Sequence, residues 1–287
     1  IYAAHVLERI EAEFGIVFHR DFGLIAGTST GSIIAAALAF EVPLSKVTSF
    51  YREHGPEIFS ARPWSLGGLL TSKYSTKPLR KALSKVFEDA TLKDAKTRLV
   101  IPATDIGNGT VHVFKSAYDP GFVRDPNVRV VDAIVASCSA PLFFSPAKVG
   151  HYQLCDGGLW ANNPALVAVT EAMTRLGIGR ADIRLLSVGT GIGRDYYPVG
   201  AQHWLWGFVA GWGMKKFISM LLNLQSTTAS NVVKLLLDKS QTVRINFESD
   251  RPLPLDDVSI IDDLISKADK DFTYNSAAIR VWLEDAK

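Results

Sequence analysis

Cysteine is nearly absent: Cys138 and Cys155 are the only two in 287 residues. Two thiols cannot build a disulfide framework, and with no CxxC pair or cysteine–histidine cluster there is no metal-ligand spacing. The bland reading is two small buried side chains in a reducing compartment. An excess of either charge is missing too. Lysine and arginine number 31 against 29 acids, a formal net charge of +2. That balance gives no electrostatic case for DNA or RNA, which would need a basic stripe. Long uninterrupted apolar runs are also lacking. The longest, Trp204 to Leu222, is broken by Gly207, Gly211 and Gly213 and carries Lys215 and Lys216. It therefore falls short of the roughly 20 uncharged residues of a membrane-spanning helix. No leader pattern is visible, because Ile1 already opens a helical periodicity. The expectation is a soluble, cytoplasmic protein.

Apolar side chains make up 47% of the chain, ample for a full core. Ala3, Val6, Leu7, Ile10 and Phe14 recur at helical spacing, with Gly15 placed to end that helix. A short apolar strand, 22–26, runs into Gly27-Thr28-Ser29-Thr30-Gly31 and then a helix over 32–40. The patterns predict further helices at 44–59, 77–88, 131–137, 164–176, 214–237 and 260–284. Strands are predicted at 98–104, 111–115, 151–155, 184–188 and 242–247. There is no internal repeat and no linker. Short apolar strands alternating with amphipathic helices indicate an α/β protein, a mostly parallel central sheet with helices on both faces, in one domain spanning 1–287.

Two stretches carry chemistry. A serine hydroxyl is a poor nucleophile unless it is exposed, oriented and next to a base. Gly27-x-Ser29-x-Gly31 between a strand and a helix can expose it on a sharp turn, with the helix N-terminus favouring negative charge on the attacked carbonyl. The bland alternative is a glycine-rich turn that packs a helix onto a sheet. The base is less obvious. A hydrolase with an ordinary serine triad would follow the serine with an acid and then a histidine, yet His54, His112, His151 and His203 have no evident catalytic setting. The strongest acid is Asp156, at the end of a strand and followed by Gly157 and Gly158, which allow close approach. Beyond it, Asn163 and Pro164 suit the start of the next helix. An acid beside two glycines is often only a turn former.

Taken together, GTSTG after the first strand and DGGLWANNP downstream resemble the patatin-like phospholipase family. Lys73-Tyr74, Ala103-Thr104-Asp105, the Ser137-to-Pro141 run and Ser187-Val-Gly-Thr-Gly191 extend the resemblance over most of the chain. It implies a three-layer α/β/α patatin-like fold. It also implies a Ser-Asp dyad of Ser29 as nucleophile and Asp156 as base, with Gly27, Thr30 and Gly31 forming the elbow and oxyanion region and Gly157 and Gly158 the rest of the DGG motif. No metal or other cofactor is needed. The family's glycine-rich loop before the first helix supplies oxyanion donors. Here the chain opens at Ile1-Tyr2-Ala3-Ala4, where that loop should just have ended, and the expectation is that it has been left out. What remains for the hole is the Thr30 N–H. The implied activity is hydrolysis of acyl esters in membrane phospholipids at the membrane surface, through an acyl-enzyme. A soluble-substrate esterase or thioesterase and a catalytically silent binding protein are the alternatives. The style resembles the bacterial members, some of which are nucleotide-activated antiphage phospholipases. A cyclic nucleotide activator and a homo-oligomer therefore stay open, although no residue reads as a nucleotide site.

Weaker signals remain. Ser187–Gly191 lacks the lysine of a phosphate loop and reads as a turn. Lys77, Lys81 and Lys85 line one helix face, more often a solvated face than a headgroup contact. Trp204, Trp206, Phe208 and Trp212 beside Lys215 and Lys216 suit either a membrane-resting segment or a packed flap.

Overall fold

The computed structural model describes residues 1–62, 65, 68, 71–193, 197, 211–251, 253, 254 and 256–285. The first helix, α1 (Tyr2–Phe14), buries Tyr2, Ala3, Val6, Leu7 and Ile10 at the spacing of one face. It ends on Gly15 at φ 65°, where a side chain would be strained. A single turn, α2 (Phe18–Asp21), leads to β1 (Leu24–Ala26) and then α3 (Thr30–Ala39). From Ser32 to Ala39 every residue of α3 is buried, as its unbroken apolar sequence requires. Next come α4 (Leu44–Ile58), α5 (Thr76–Phe87), the hairpin β2 (Arg98–Asp105) and β3 (Thr110–Lys115), and α6 (Val130–Ser137). The second half holds β4 (Ala147–Val149), β5 (Tyr152–Asp156), α7 (Gly158–Ala161), α8 (Ala165–Thr174), β6 (Leu185–Val188), α9 (Met214–Leu236), β7 (Thr242–Ile245) and α10 (Ile261–Glu284). The α/β class is as expected, and α2, β4 and α7 are short elements that periodicity did not reveal.

Strands β1 to β5 form one sheet and β6 and β7 a second. The pairs β1–β2 and β6–β7 are parallel, while β3, β5 and β4 join antiparallel. Short connections account for two of these antiparallel pairs. Only a tight turn fits between β2 and β3, and between β4 and β5, where Gly150 takes φ 58°. Helices α3 and α6 pack on the sheet from one group, with α4 and α5 outside them; α7 and α8 pack on it from another, backed by α9. Helix α10 lies along α1 and β7.

The register of β2 positions the site. One edge of β2 carries β3 along its whole length; the other is shared by β1 and β5. Parallel β1 ends with Ala26 opposite Val100, and antiparallel β5 ends with Asp156 opposite Ala103. The two strand ends thus run head-on toward each other along one edge, and the turn leaving β1 must meet the last residue of β5.

Candidate active site

The turn leaving β1 bears Ser29. Gly27 makes that turn possible, because a Cβ there would lie 2.2 Å from the Gly31 carbonyl oxygen and 2.6 Å from Ala35 Cβ. A Cβ on Gly31 would meet nothing within 4 Å. The close approach therefore falls on Gly27 alone, not on both flanking glycines. Ser29 has φ 53° and ψ −131°, a strained backbone for a residue with a side chain. It occupies the N-cap position of α3 yet makes no cap bond with its side chain. Its Oγ instead donates to Asp156 Oδ2 at 2.6 Å.

The strain is held in place from several sides. The Ser29 N–H donates to Ser137 Oγ at 2.8 Å, and Ser137 Oγ donates in turn to the Pro102 carbonyl at 2.6 Å. Ser32 Oγ donates to the Ser29 carbonyl at 2.6 Å, and Thr28 Oγ1 to the Ala161 carbonyl at 2.7 Å. Of the elbow amides, Gly27 N–H bonds the Val100 carbonyl and Gly31 N–H the Thr28 carbonyl. Those two are spoken for and cannot serve an oxyanion. The Thr30 N–H, at the head of α3, has no hydrogen bond among the described residues.

Asp156 is equally constrained. Its N–H donates to the Ser139 carbonyl at 3.0 Å, and its carbonyl accepts from Thr104 Oγ1 at 2.8 Å. Its Oδ1 accepts the Gly158 N–H at 2.6 Å, leaving Oδ2 for the serine. Gly157 lies against β2, where a Cβ would come within 2.2 Å of the Pro102 oxygen. A Cβ on Gly158 would stand 2.9 Å from Asp156 Oδ1, spoiling the turn that bonds it. The residue is 5% exposed. Burial raises its pKa to about 6, against the opposing pull of the Ser29 and Gly158 hydrogen bonds.

No histidine takes part among the described residues. His54 packs edge-on to Phe50, and His112 is buried between Phe114 and Tyr152 with Nε2 unpartnered. His151 is exposed in the β4–β5 turn, and His203 lies outside the described residues. Cys138 and Cys155 are free and buried, and burial pushes both thiols up, away from reactivity. Ser137 is the residue that sequence reasoning used only as part of a motif; its hydroxyl fixes the serine backbone.

Ser29 and Asp156 open on a cavity of about 330 Å³. Apolar side chains, among them Ile33, Phe50, Ile58, Phe143 and Phe144, make much of its wall. Residues of β1 and β6 border it, and Ser187, Thr190, Arg244 and Asn246 add polar groups. The turn expected at Ser187–Gly191 is not one: Ser187 and Val188 end β6, and the chain runs on through Gly191, at φ 94°, to a parallel bridge between Ile192 and Glu248. No cluster of three or more His, Cys, Asp or Glu side chains fit to hold a metal occurs among the described residues. Among those residues, no helix is long and apolar enough to cross a membrane. Lys77, Lys81 and Lys85 stand exposed on α5. Trp204, Trp206 and Phe208 lie outside the described residues, while Trp212 packs edge-on to Phe217.

The family model described as patatin-like phospholipase matches residues 1–169. A cGAMP-activated phospholipase of Pseudomonas aeruginosa is 34% identical over 194 residues, 66% of this chain and 58% of the relative. A cUMP-AMP-activated phospholipase of Escherichia coli is 32% identical over 266 residues, 88% of this chain and 78% of the relative. Patatin-like protein 1 of Oryza sativa subsp. indica is 27% identical over 248 residues, 75% and 59% of the two chains. The chain thus spans under two thirds of the Pseudomonas and rice relatives and over three quarters of the Escherichia coli one.

Proposed function

The chain belongs to the patatin-like phospholipase family, and from that premise we propose that it hydrolyses acyl esters of membrane phospholipids with Ser29 as nucleophile and Asp156 as base. The observation that carries the reading is the 2.6 Å hydrogen bond between Ser29 Oγ and Asp156 Oδ2 on a strained strand-to-helix turn opening into an apolar cavity. As Oγ attacks the ester carbonyl, its proton passes to Asp156. The tetrahedral intermediate collapses, the C–O bond to the glycerol breaks, and Asp156 returns the proton to the departing alkoxide. Water then gives a proton to Asp156 and attacks the acyl-serine; as that intermediate collapses the acyl C–O bond to Ser29 breaks, Asp156 returns the proton to Ser29 Oγ, and the fatty acid leaves. A carboxylate raised to about 6 is a better proton acceptor than an ordinary one and still ionised at neutral pH. The Thr30 N–H and the α3 dipole favour the oxyanion. The apolar wall suits an acyl chain better than a soluble polar substrate.

The bacterial relatives are named for activation by cyclic dinucleotides. We extend that to this protein: a cyclic dinucleotide switches on hydrolysis at the membrane surface, an activity suited to antiphage defence. The test is release of fatty acid from phospholipid vesicles, with and without cGAMP or cUMP-AMP, by the protein and its Ser29→Ala variant. Release that survives Ser29→Ala would falsify the nucleophile assignment, and release indifferent to both nucleotides removes the activator.

A further inference from the structure

Helix α9 has two roles at the mouth of the cavity. Ile218 and Leu222 line it. Leu222 also packs on α7, lying 3.1 Å from where a Gly158 Cβ would be, and its carbonyl accepts Asn162 Nδ2 at 3.2 Å. The first half of α9 is thereby seated on the segment that directly succeeds Asp156. On the outer side of that half, Leu221 and Leu224 are 43% and 55% exposed, and Leu159 of α7 is 44% exposed. Leu221 and Leu224 stand one turn apart and so share a face. The 23 residues of α9 include no aspartate or glutamate but three lysines, Lys215, Lys216 and Lys234. Lys216 lies over the Tyr197 ring at 4.5 Å, and Lys215 is close enough to Asp256 to lower its pKa.

We propose that the first half of α9, together with Leu159, is a lipid-docking surface that seats the cavity mouth on an anionic bilayer. Leu221 and Leu224 enter the boundary between headgroups and acyl chains, and Lys216 adds positive charge at the phosphates. The proposal rests on the lipid-hydrolase reading of Ser29. Three features select a bilayer as the occupant. The exposed leucines adjoin the residues of α9 and α7 that line the cavity, the helix carries only positive charge, and two or three leucines are a small patch. Stable protein partners cover about 800 Å² each, whereas a few inserted leucines with basic neighbours suffice for reversible membrane binding.

Binding can be read apart from catalysis in the Ser29→Ala protein, which leaves vesicles intact. It is sedimented with vesicles of phosphatidylcholine and phosphatidylglycerol, alone and with Leu221→Ser and Leu224→Ser added. The leucine pair should lower the partition coefficient about tenfold. In the parent with Ser29 intact, the same pair should leave turnover of a soluble short-chain ester unchanged, since neither leucine lines the cavity. Undiminished vesicle binding by the leucine variant overturns the proposal. So does a lipid-free dimer of the parent that the variant dissolves, because the face would then be a subunit contact. Should the leucine variant fail to fold, Lys216→Glu decides: it should weaken binding to anionic vesicles severalfold, and undiminished binding overturns the proposal. A parent that stays inert on vesicles even with cGAMP or cUMP-AMP, yet binds them through these leucines, would refute the hydrolase reading and support the surface.

Discussion

A serine at the head of a helix ordinarily turns its hydroxyl onto the first free amides. Ser29 does not, because its positive φ aims Oγ across to Asp156. The pair predicts its own pH profile. Asp156 must be ionised to accept the proton, so kcat/KM on an ester should be flat above about pH 6, the value to which burial raises this carboxyl. Below it the rate should drop about tenfold per pH unit. Ser29→Ala and Asp156→Asn should each reduce turnover to background, whereas His54→Ala and His151→Ala should retain most of it; a folded histidine variant as inactive as Ser29→Ala would restore a triad. Ser137 touches no substrate but holds the Ser29 N–H and the Pro102 carbonyl. Ser137→Ala should lower kcat roughly 10- to 100-fold by loosening the elbow, with the pH midpoint unmoved. A shifted midpoint would instead place Ser137 in the proton transfer.

The strand, turn and helix around Ser29 make opposite demands on their two glycines, and substitution should separate them. At Gly27 a methyl would overlap the Gly31 carbonyl and Ala35, so Gly27→Ala should cost several kcal/mol or prevent folding. At Gly31 the space is open, and alanine in the first turn of α3 should be neutral or up to about 1 kcal/mol stabilising. Thermal melts of the two variants check this, and similar losses at both sites would mean that the elbow closes differently. Symmetry of the GxSxG motif gave no hint of the asymmetry, because a sequence shows which residues are small but not which one is approached. Elements were legible where their signals are local, as in the apolar spacing of α1 and its Gly15 cap. Strand β4 and the single turn α7, with three and four residues, are too short for any period to show. Sheet register was not legible either. That β1 and β5 share one edge of β2 is set by packing between distant segments, and so Ser29 and Asp156 could be paired from sequence only through a family resemblance, never by spacing.

At the scale of the whole molecule, the protein carries two buried titratable groups whose effects on stability oppose each other in acid. His112 is shielded by Phe114 and Tyr152, and burial lowers its pKa to about 4. An unfolded chain protonates that histidine near 6.5, so its contribution is present above that pH and is lost as pH falls toward 4. For Asp156 the sign reverses. Its folded pKa is raised from 3.8 to about 6, so the native state binds the proton first, and the cost of burying the charge disappears as pH falls through 6. Between about 6 and 4 one group weakens the fold while the other strengthens it, and their slopes largely cancel. Asp156→Asn removes one side of this balance. At pH 7 the amide avoids the buried charge, a gain of up to about 3 kcal/mol at 1.36 kcal/mol per pKa unit, less whatever its altered bonds to Ser29 and Gly158 give back. The variant should therefore melt a few degrees above the parent at neutral pH while being catalytically inert. That advantage should shrink as pH falls from 6 and be gone by about 3.8, where the parent carboxyl is neutral as well. Denaturant titrations of the two proteins at pH 7, 5 and 4 measure it. A constant difference across that range would mean that Asp156 titrates at its ordinary pKa, and the raised proton affinity on which its role as base depends would be lost with it.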